Sequence, residues 1–179
     1  VQSPLAPYRV LDLSGDAGQF GGKLLGDLGA DVVLVEPPGG CPARHAGPFY
    51  HDQPHPERSL SFWANNTSKR SITLDIAQPD GQEILKRLAT KAHFLLDSFP
   101  PGHMASLGLG YPELSRLNPG LIMASMTAFG QAGPYAGYQG TDLVGQALGG
   151  LMFVCGQGER PPVRITVPQA AFQSGLQAA

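Results

Sequence analysis

The chain has 179 residues, a formal net charge of -2 and a pI of about 6.2. That length suffices for one domain with a sizeable core, and the small charge excludes the basic field that nucleic-acid-binding proteins carry. No apolar run approaches the roughly 20 residues of a membrane-spanning helix, and the N-terminus lacks the charged and apolar segments of a secretory signal. We therefore predict a soluble cytoplasmic protein without nucleic-acid or membrane partners, with Cys41 and Cys155 as free thiols.

Residues 9–38 predict a strand, a helix and a second strand. Residues 9–14 and 31–36 are short apolar runs, as expected of strands that are buried on both faces. Between them, leucines recur at helical spacing, and Gly29 follows the last of them as a helix C-cap glycine would. Such a unit is a right-handed crossover between parallel strands, whose ligands bind beyond the carboxyl ends of the strands.

The rest of the chain continues this alternation after an irregular segment, residues 37–68, whose length and composition are typical of a functional loop. We predict strands over 71–76, 93–98 and 121–126, and helices over 79–92, 104–107, 111–117 and 142–152. The alternation predicts an α/β fold, Rossmann-like, with a mostly parallel sheet flanked by helices. A last helix reaches Ala179 without a stop signal, so we expect the native chain to continue.

A glycine cluster follows the first strand, at Gly15, Gly18, Gly21 and Gly22. Such a turn lets backbone N–H groups approach a phosphate, although the spacing is not the GxGxxG pattern of dinucleotide-binding proteins. Glu36 ends the second strand, where an acid meets a ribose hydroxyl or is simply solvated. The cluster and the acid leave nucleotide binding open.

We expect no metal site. His51 and His55 flank an aspartate, but the adjacent prolines prevent the helical presentation that makes paired histidines good ligands, and no cysteine or histidine cluster complements them. The two cysteines also lack the local signature of a catalytic Cys–His pair. Arg44, Lys69 and Arg70 lie close to strand ends, where they suit a phosphate-bearing cofactor or are solvated surface charges.

Six blocks, in this order, cover nearly the whole chain: RVLDLS, DLGADVVLVEPPGG, the downstream Arg44, NNTSKRSITLDI, FPPGHMASLGLGYPELSRLNPGLI and FGQAGPYAGYQGTDLVGQALGGLM. By these blocks the chain resembles the N-terminal part of a family III CoA-transferase (the CaiB/BaiF family), which is related to α-methylacyl-CoA racemases. Members of that family are about twice as long as this chain and form interlocked homodimers. The resemblance implies that residues 1–179 are the CoA-binding portion of the large domain, without the substrate-specific small domain and the C-terminal return segment. It also implies an acyl-CoA and a carboxylic acid as substrates.

The resemblance also implies the site residues. It places Ala17 and Gly18 beneath coenzyme A, Lys69 near its adenosine and phosphates, and Ser98 and Phe99 beside it after the fourth strand. Glu36 then lies at the adenosine end rather than on a nicotinamide ribose.

Two positions depart from the family's pattern of phosphate anchoring. Ser106 stands where some members have an arginine, and Pro38 occupies a position that is basic in others. Arg44 or Arg58 is expected to compensate.

The largest departure concerns the nucleophile. Aligning residues 162–168 and Gly175 with the family's block places its nucleophilic aspartate at Ala171. In the family, that aspartate attacks the acyl-CoA and then carries CoA as a thioester, which a methyl group cannot do. The related racemases need a histidine and an aspartate, and the matching residues here are Thr141 and Ala171.

Three interpretations follow. The chain is a CoA-transferase that has lost its nucleophile, or it is the catalytically silent subunit of a heteromer whose Asp-bearing homologue supplies the aspartate, as in family members acting on aromatic succinates. Otherwise it is a CoA-binding module, or it runs another reaction with Asp16 or Asp142, the latter also suiting a helix N-cap. A racemase-like acyl-CoA enzyme and a nicotinamide oxidoreductase remain further alternatives, since fold alone does not give function.

Overall fold

The computed structural model describes residues 3–179, which fold around a five-stranded sheet. The strands are β1 (Arg9–Leu13), β2 (Asp31–Glu36), β3 (Lys69–Thr73), β4 (Phe94–Asp97) and β5 (Ile122–Ser125). Every neighbouring pair is parallel, in the order β3-β2-β1-β4-β5. The α/β prediction is confirmed. Because the strand order reverses between β1 and β4, the carboxyl ends of these two strands flank the switch point where open α/β sheets bind ligands.

In the part of the chain that the structure describes, eight α-helices connect or flank the strands. They are α1 (Gln19–Asp27), α2 (Leu60–Asn65), α3 (Pro79–Ala89), α4 (His103–Ser106), α5 (Tyr111–Leu117), α6 (Asp142–Leu148), α7 (Leu151–Val154) and α8 (Gln169–Ala178). Gly29 ends α1 with a φ of 101°, as its C-cap position predicted. The predicted helix over 142–152 is divided in two, because Gly150 has a φ of 77°. Between residues 3 and 179, no helix is long and apolar enough to cross a membrane.

The segment 37–68 is less irregular than its composition predicted. It contains α2 and two short 3-10 helices, Pro42–His45 and Tyr50–Asp52. Ser59 caps α2, because its hydroxyl accepts a hydrogen bond from the Phe62 N–H at 3.1 Å. The strand predicted over 71–76 instead begins at Lys69, which pairs with Val32 of β2.

The three central strands of the sheet, β2, β1 and β4, are buried on both faces. Leu11 of β1 and Leu95 of β4 face a large core with α3 and α5, whereas Val10 and Leu96 on the same strands face a second core with Leu25 of α1. This two-sided burial is why the strands read as continuous apolar runs in the sequence. The sheet therefore forms a rigid support for the loops at its carboxyl edge.

Candidate functional site

Two cavities adjoin at the carboxyl edge of the sheet. The large cavity, about 510 Å³, lies between the turn after β1, the loop after β5 and the starts of α6 and α8. The small cavity, about 370 Å³, lies between α1, the loop that precedes α2, α2 itself and the start of α8. Asp16, Pro168 and Ala171 line both cavities. Position 171, which the family resemblance marks as the nucleophile's, is thus on the wall that the two cavities share.

Helix α8, which carries Ala171, lies directly on α1 through two glycines. A Cβ atom on Gly175 would be 2.8 Å from the Gly21 nitrogen, and one on Gly21 would be 2.6 Å from the Gly175 carbonyl oxygen. Beside this crossing, the rings of Phe20 and Phe172 pack edge to face with centroids 5.1 Å apart. Gly21 therefore permits a close helix crossing. It lies inside α1 and not in the phosphate-type turn that the sequence pattern suggested.

The start of α8 is also tied to α6. The Asp142 carboxylate accepts a hydrogen bond from the Ala170 N–H at 2.7 Å and another from the Gln146 side chain at 2.6 Å. Gln146 is buried and bonds both backbone groups of Ile165. Thr141, and not Asp142, is the N-cap of α6. Both oxygens of Asp142 are used, so its geometry suits an anchor for the backbone before position 171 better than a reacting acid.

Lys69 is enclosed beneath α1. Its ammonium donates to the Asp12 carboxylate at 2.8 Å, to the Gln19 carbonyl at 2.7 Å and to the Asn66 side chain at 2.8 Å, and its side chain is 1% exposed. Burial lowers the pKa of Lys69, partly offset by the Asp12 charge. All three N–H groups have partners. The predicted contact with cofactor phosphates stays a prediction, and this geometry does not favour it.

Arg44 is likewise committed inside the protein. It donates two hydrogen bonds to Glu36, at 2.6 and 2.8 Å, and one to Glu57 at 2.8 Å. Its guanidinium lies 4.0 Å from the centre of the Phe62 ring. Arg58, the other expected phosphate partner, hydrogen-bonds to the Gln53 side chain. Phosphate binding by Arg44 therefore remains a prediction, and the hydrogen bonds to Glu36 and Glu57 already occupy donors of its guanidinium.

Glu36 is the acceptor at the centre of this cluster. Besides Arg44, the Ser71 hydroxyl and the Cys41 N–H donate to its carboxylate. Burial alone would raise the pKa of Glu36, but these hydrogen bonds and the Arg44 charge lower it to about 2. With its oxygens held by protein donors, Glu36 forms a structural ion pair at the end of β2.

The remaining predicted contacts lie at the same sheet edge. The Ser98 hydroxyl accepts a hydrogen bond from the Gly15 N–H at 2.7 Å and so joins the turns after β4 and β1. The Phe99 ring packs on His103, with centroids 4.8 Å apart. Ala17 lines the large cavity. Ala17 therefore shares a cavity wall with position 171.

The comparison with protein families decides to which family the chain belongs. The sequence pattern of "CoA-transferase family III" matches residues 5–179. The chain belongs to CoA-transferase family III. Among curated relatives, the Succinyl-CoA:(R)-benzylsuccinate CoA-transferase subunit BbsE of Thauera aromatica is 40% identical over 91% of this chain and 40% of its own length. Succinyl-CoA--D-citramalate CoA-transferase of Chloroflexus aurantiacus is 43% identical over 92% of this chain and 40% of its own.

A solved family III structure has the same fold. The crystal structure of a CaiB/BaiF family protein from Brucella suis is 37% identical, with a TM-score of 0.89 over 99% of this chain and 47% of that one. The chain thus spans about 40% of the length of the curated relatives it matches. The family resemblance seen in the sequence blocks is confirmed.

Sequence reasoning missed two polar groups at this edge of the family III fold. The Thr127 hydroxyl is buried in the wall of the large cavity and has no hydrogen-bond partner among the residues that the structure describes. Asp97, at the end of β4, accepts from the Ser125 hydroxyl at 2.5 Å and the Phe99 N–H at 3.2 Å, and burial raises its pKa. Their positions at or just beyond the ends of apolar strands were the available signal.

Proposed function

We propose that this chain binds an acyl-CoA as part of a family III CoA-transferase, which moves CoA between an acyl-CoA and a carboxylic acid. In this proposal residues 1–179 form the CoA-binding portion, and the aspartate needed for transfer comes from an Asp-bearing homologue in a heteromer. The observation that carries the proposal is the place of Ala171, on the wall shared by two cavities at the ligand edge of the sheet.

The acidic side chains that line the cavities support a catalytically silent role for this chain. A methyl group at position 171 neither attacks a thioester nor carries CoA. Asp142 is held by Ala170 and Gln146, and such hydrogen bonds stabilise a carboxylate and make it a poorer nucleophile. Asp16 is exposed and lines both cavities, so it is the acid that an alternative reaction of this chain would use.

Two other functions are less well supported. Racemisation needs an acid–base pair, and the matching residues are Ala171 and Thr141, whose hydroxyl caps α6. A nicotinamide oxidoreductase is disfavoured by membership of a CoA-transferase family. A relative that is itself named a CoA-transferase subunit supports the heteromer over either of them.

The test is to restore the nucleophile. With Ala171→Asp, incubation with an acyl-CoA should give a covalent adduct at position 171 that hydroxylamine removes, because a carboxylate there reaches the thioester carbon. Ala171→Asn is the matched control, since it has nearly the same shape and is no nucleophile. The unaltered chain should give no adduct.

The outcomes separate the interpretations. An adduct only in Ala171→Asp supports a site built for transfer. CoA binding without an adduct leaves the silent subunit or a CoA-binding module, and failure to bind any CoA compound overturns the proposal. Co-purification with an aspartate-containing homologue decides for the heteromer.

A further inference from the structure

The small cavity has mainly apolar walls. They come from α1, α8 and the segment before α2, and include Phe20, Phe172, Val167, Ala43 and Ala46. Among the residues that the structure describes, no lysine, arginine or histidine lines it, and its one charged side chain is Asp16. Its polar groups, from Gln19, Ser61 and Asn65, are neutral. The cavity therefore suits an uncharged, apolar group.

Position 171 lies between the two cavities, which can each receive one substituent of a thioester carbon. The carbonyl carbon of a thioester carries the rest of the acyl group on one side and the sulfur of the pantetheine arm on the other. Ala17, which the family resemblance places beneath CoA, lines only the large cavity, whereas Ala171 lines both. If the arm occupies the large cavity and the thioester lies at position 171, the acyl group extends into the small cavity.

We propose that the small cavity holds the acyl group and selects an aryl or alkyl chain over a short dicarboxylate. This inference rests on the proposed binding of acyl-CoA. An aromatic ring beside Phe20 and Phe172 would leave water for an apolar wall and gain edge-to-face contacts. A second carboxylate would lose its hydration without gaining a cationic partner, and it would face the negative charge of Asp16.

Calorimetric titration of the whole chain with phenylacetyl-CoA, succinyl-CoA and free CoA tests this preference. We expect phenylacetyl-CoA to bind at least about tenfold more tightly than succinyl-CoA. Ala46→Trp should lower the affinity for phenylacetyl-CoA about tenfold more than that for free CoA, because the indole fills the small cavity from an exposed position. Ala64→Trp is the matched control, since Ala64 is an exposed residue of α2 outside both cavities.

Two results would overturn the inference while leaving the proposed function intact. One is binding of succinyl-CoA as tightly as phenylacetyl-CoA. The other is a preference for the aryl thioester that survives Ala46→Trp, because the ring would then lie elsewhere. Failure of all three compounds to bind, free CoA included, would instead count against the proposed function.

Discussion

The Arg44–Glu36 pair determines part of the acid stability of this protein. Glu36 is 3% exposed, and hydrogen bonds and the Arg44 charge hold its pKa at about 2 against an ordinary value of 4.5. A carboxyl group whose pKa is lowered on folding stabilises the folded state fully above its unfolded pKa and loses that contribution as the pH falls towards its folded pKa. The free energy of unfolding should therefore decrease as the pH is lowered from about 4.5 to about 2.

Glu36→Gln should remove this part of the pH dependence. At neutral pH it should also lower the free energy of unfolding by about 3 kcal/mol, since it breaks a buried pair on one side. Urea unfolding measured from pH 7 to pH 2 checks both effects, with Glu83→Gln on the exposed face of α3 as the control. If the free energy of unfolding depended on pH equally in Glu36→Gln and in the unaltered protein, Glu36 would not titrate in this way.

The same residues show where sequence-based prediction stops. Arg44 and Lys69 were expected to meet phosphates because both lie near strand ends in the sequence. Lys69 is the first residue of β3, at the amino end of that strand. The sequence does not reveal that Glu36 and Asp12 end buried beside them, because each pairing depends on how separate segments pack. A basic residue at a ligand edge becomes a ligand only when no buried acid takes its donors first.

At the scale of elements, the crossing of α1 and α8 fixes the site. Gly175→Ala would bring a methyl group to 2.8 Å from the Gly21 nitrogen, so α8 must move away from α1. We expect the free energy of unfolding to fall by about 1–3 kcal/mol, and backbone amides near position 171 to exchange faster with solvent. Gly158→Ala is the control, because nothing lies within 4 Å of a Cβ there. Equal stability of the two variants would show that the crossing adjusts without cost.

Elements differ in how well the sequence predicted them. The strand over 31–36 and the helix over 111–117 were placed to the residue, since apolar runs and turn signals mark their ends. Helix α2 was missed, because its six residues are too few to show a helical period. The two cavities were also beyond sequence reasoning, as they depend on α8 packing on α1 from the far end of the chain.

At the scale of the whole molecule, the cavity walls come from segments spread between Asp16 and Ser174, so the site exists only in the folded chain. A ligand that binds only the folded state must raise its melting temperature. At a concentration about a hundredfold above its dissociation constant, CoA should raise the melting temperature by about 5–10 °C. NADH at the same concentration should leave the melting temperature unchanged, because the proposed ligand is CoA.

Ala17→Glu turns this shift into a test of where CoA binds. Ala17 is half-buried and lines the large cavity, so a carboxylate there would repel the phosphates of CoA and fill part of the space for its arm. The CoA-dependent rise in melting temperature should disappear in Ala17→Glu and persist in Ala64→Glu, which alters an exposed position of α2 outside both cavities. An undiminished rise in Ala17→Glu would place CoA elsewhere on the molecule, and a rise with NADH alone would favour an oxidoreductase over a CoA-transferase.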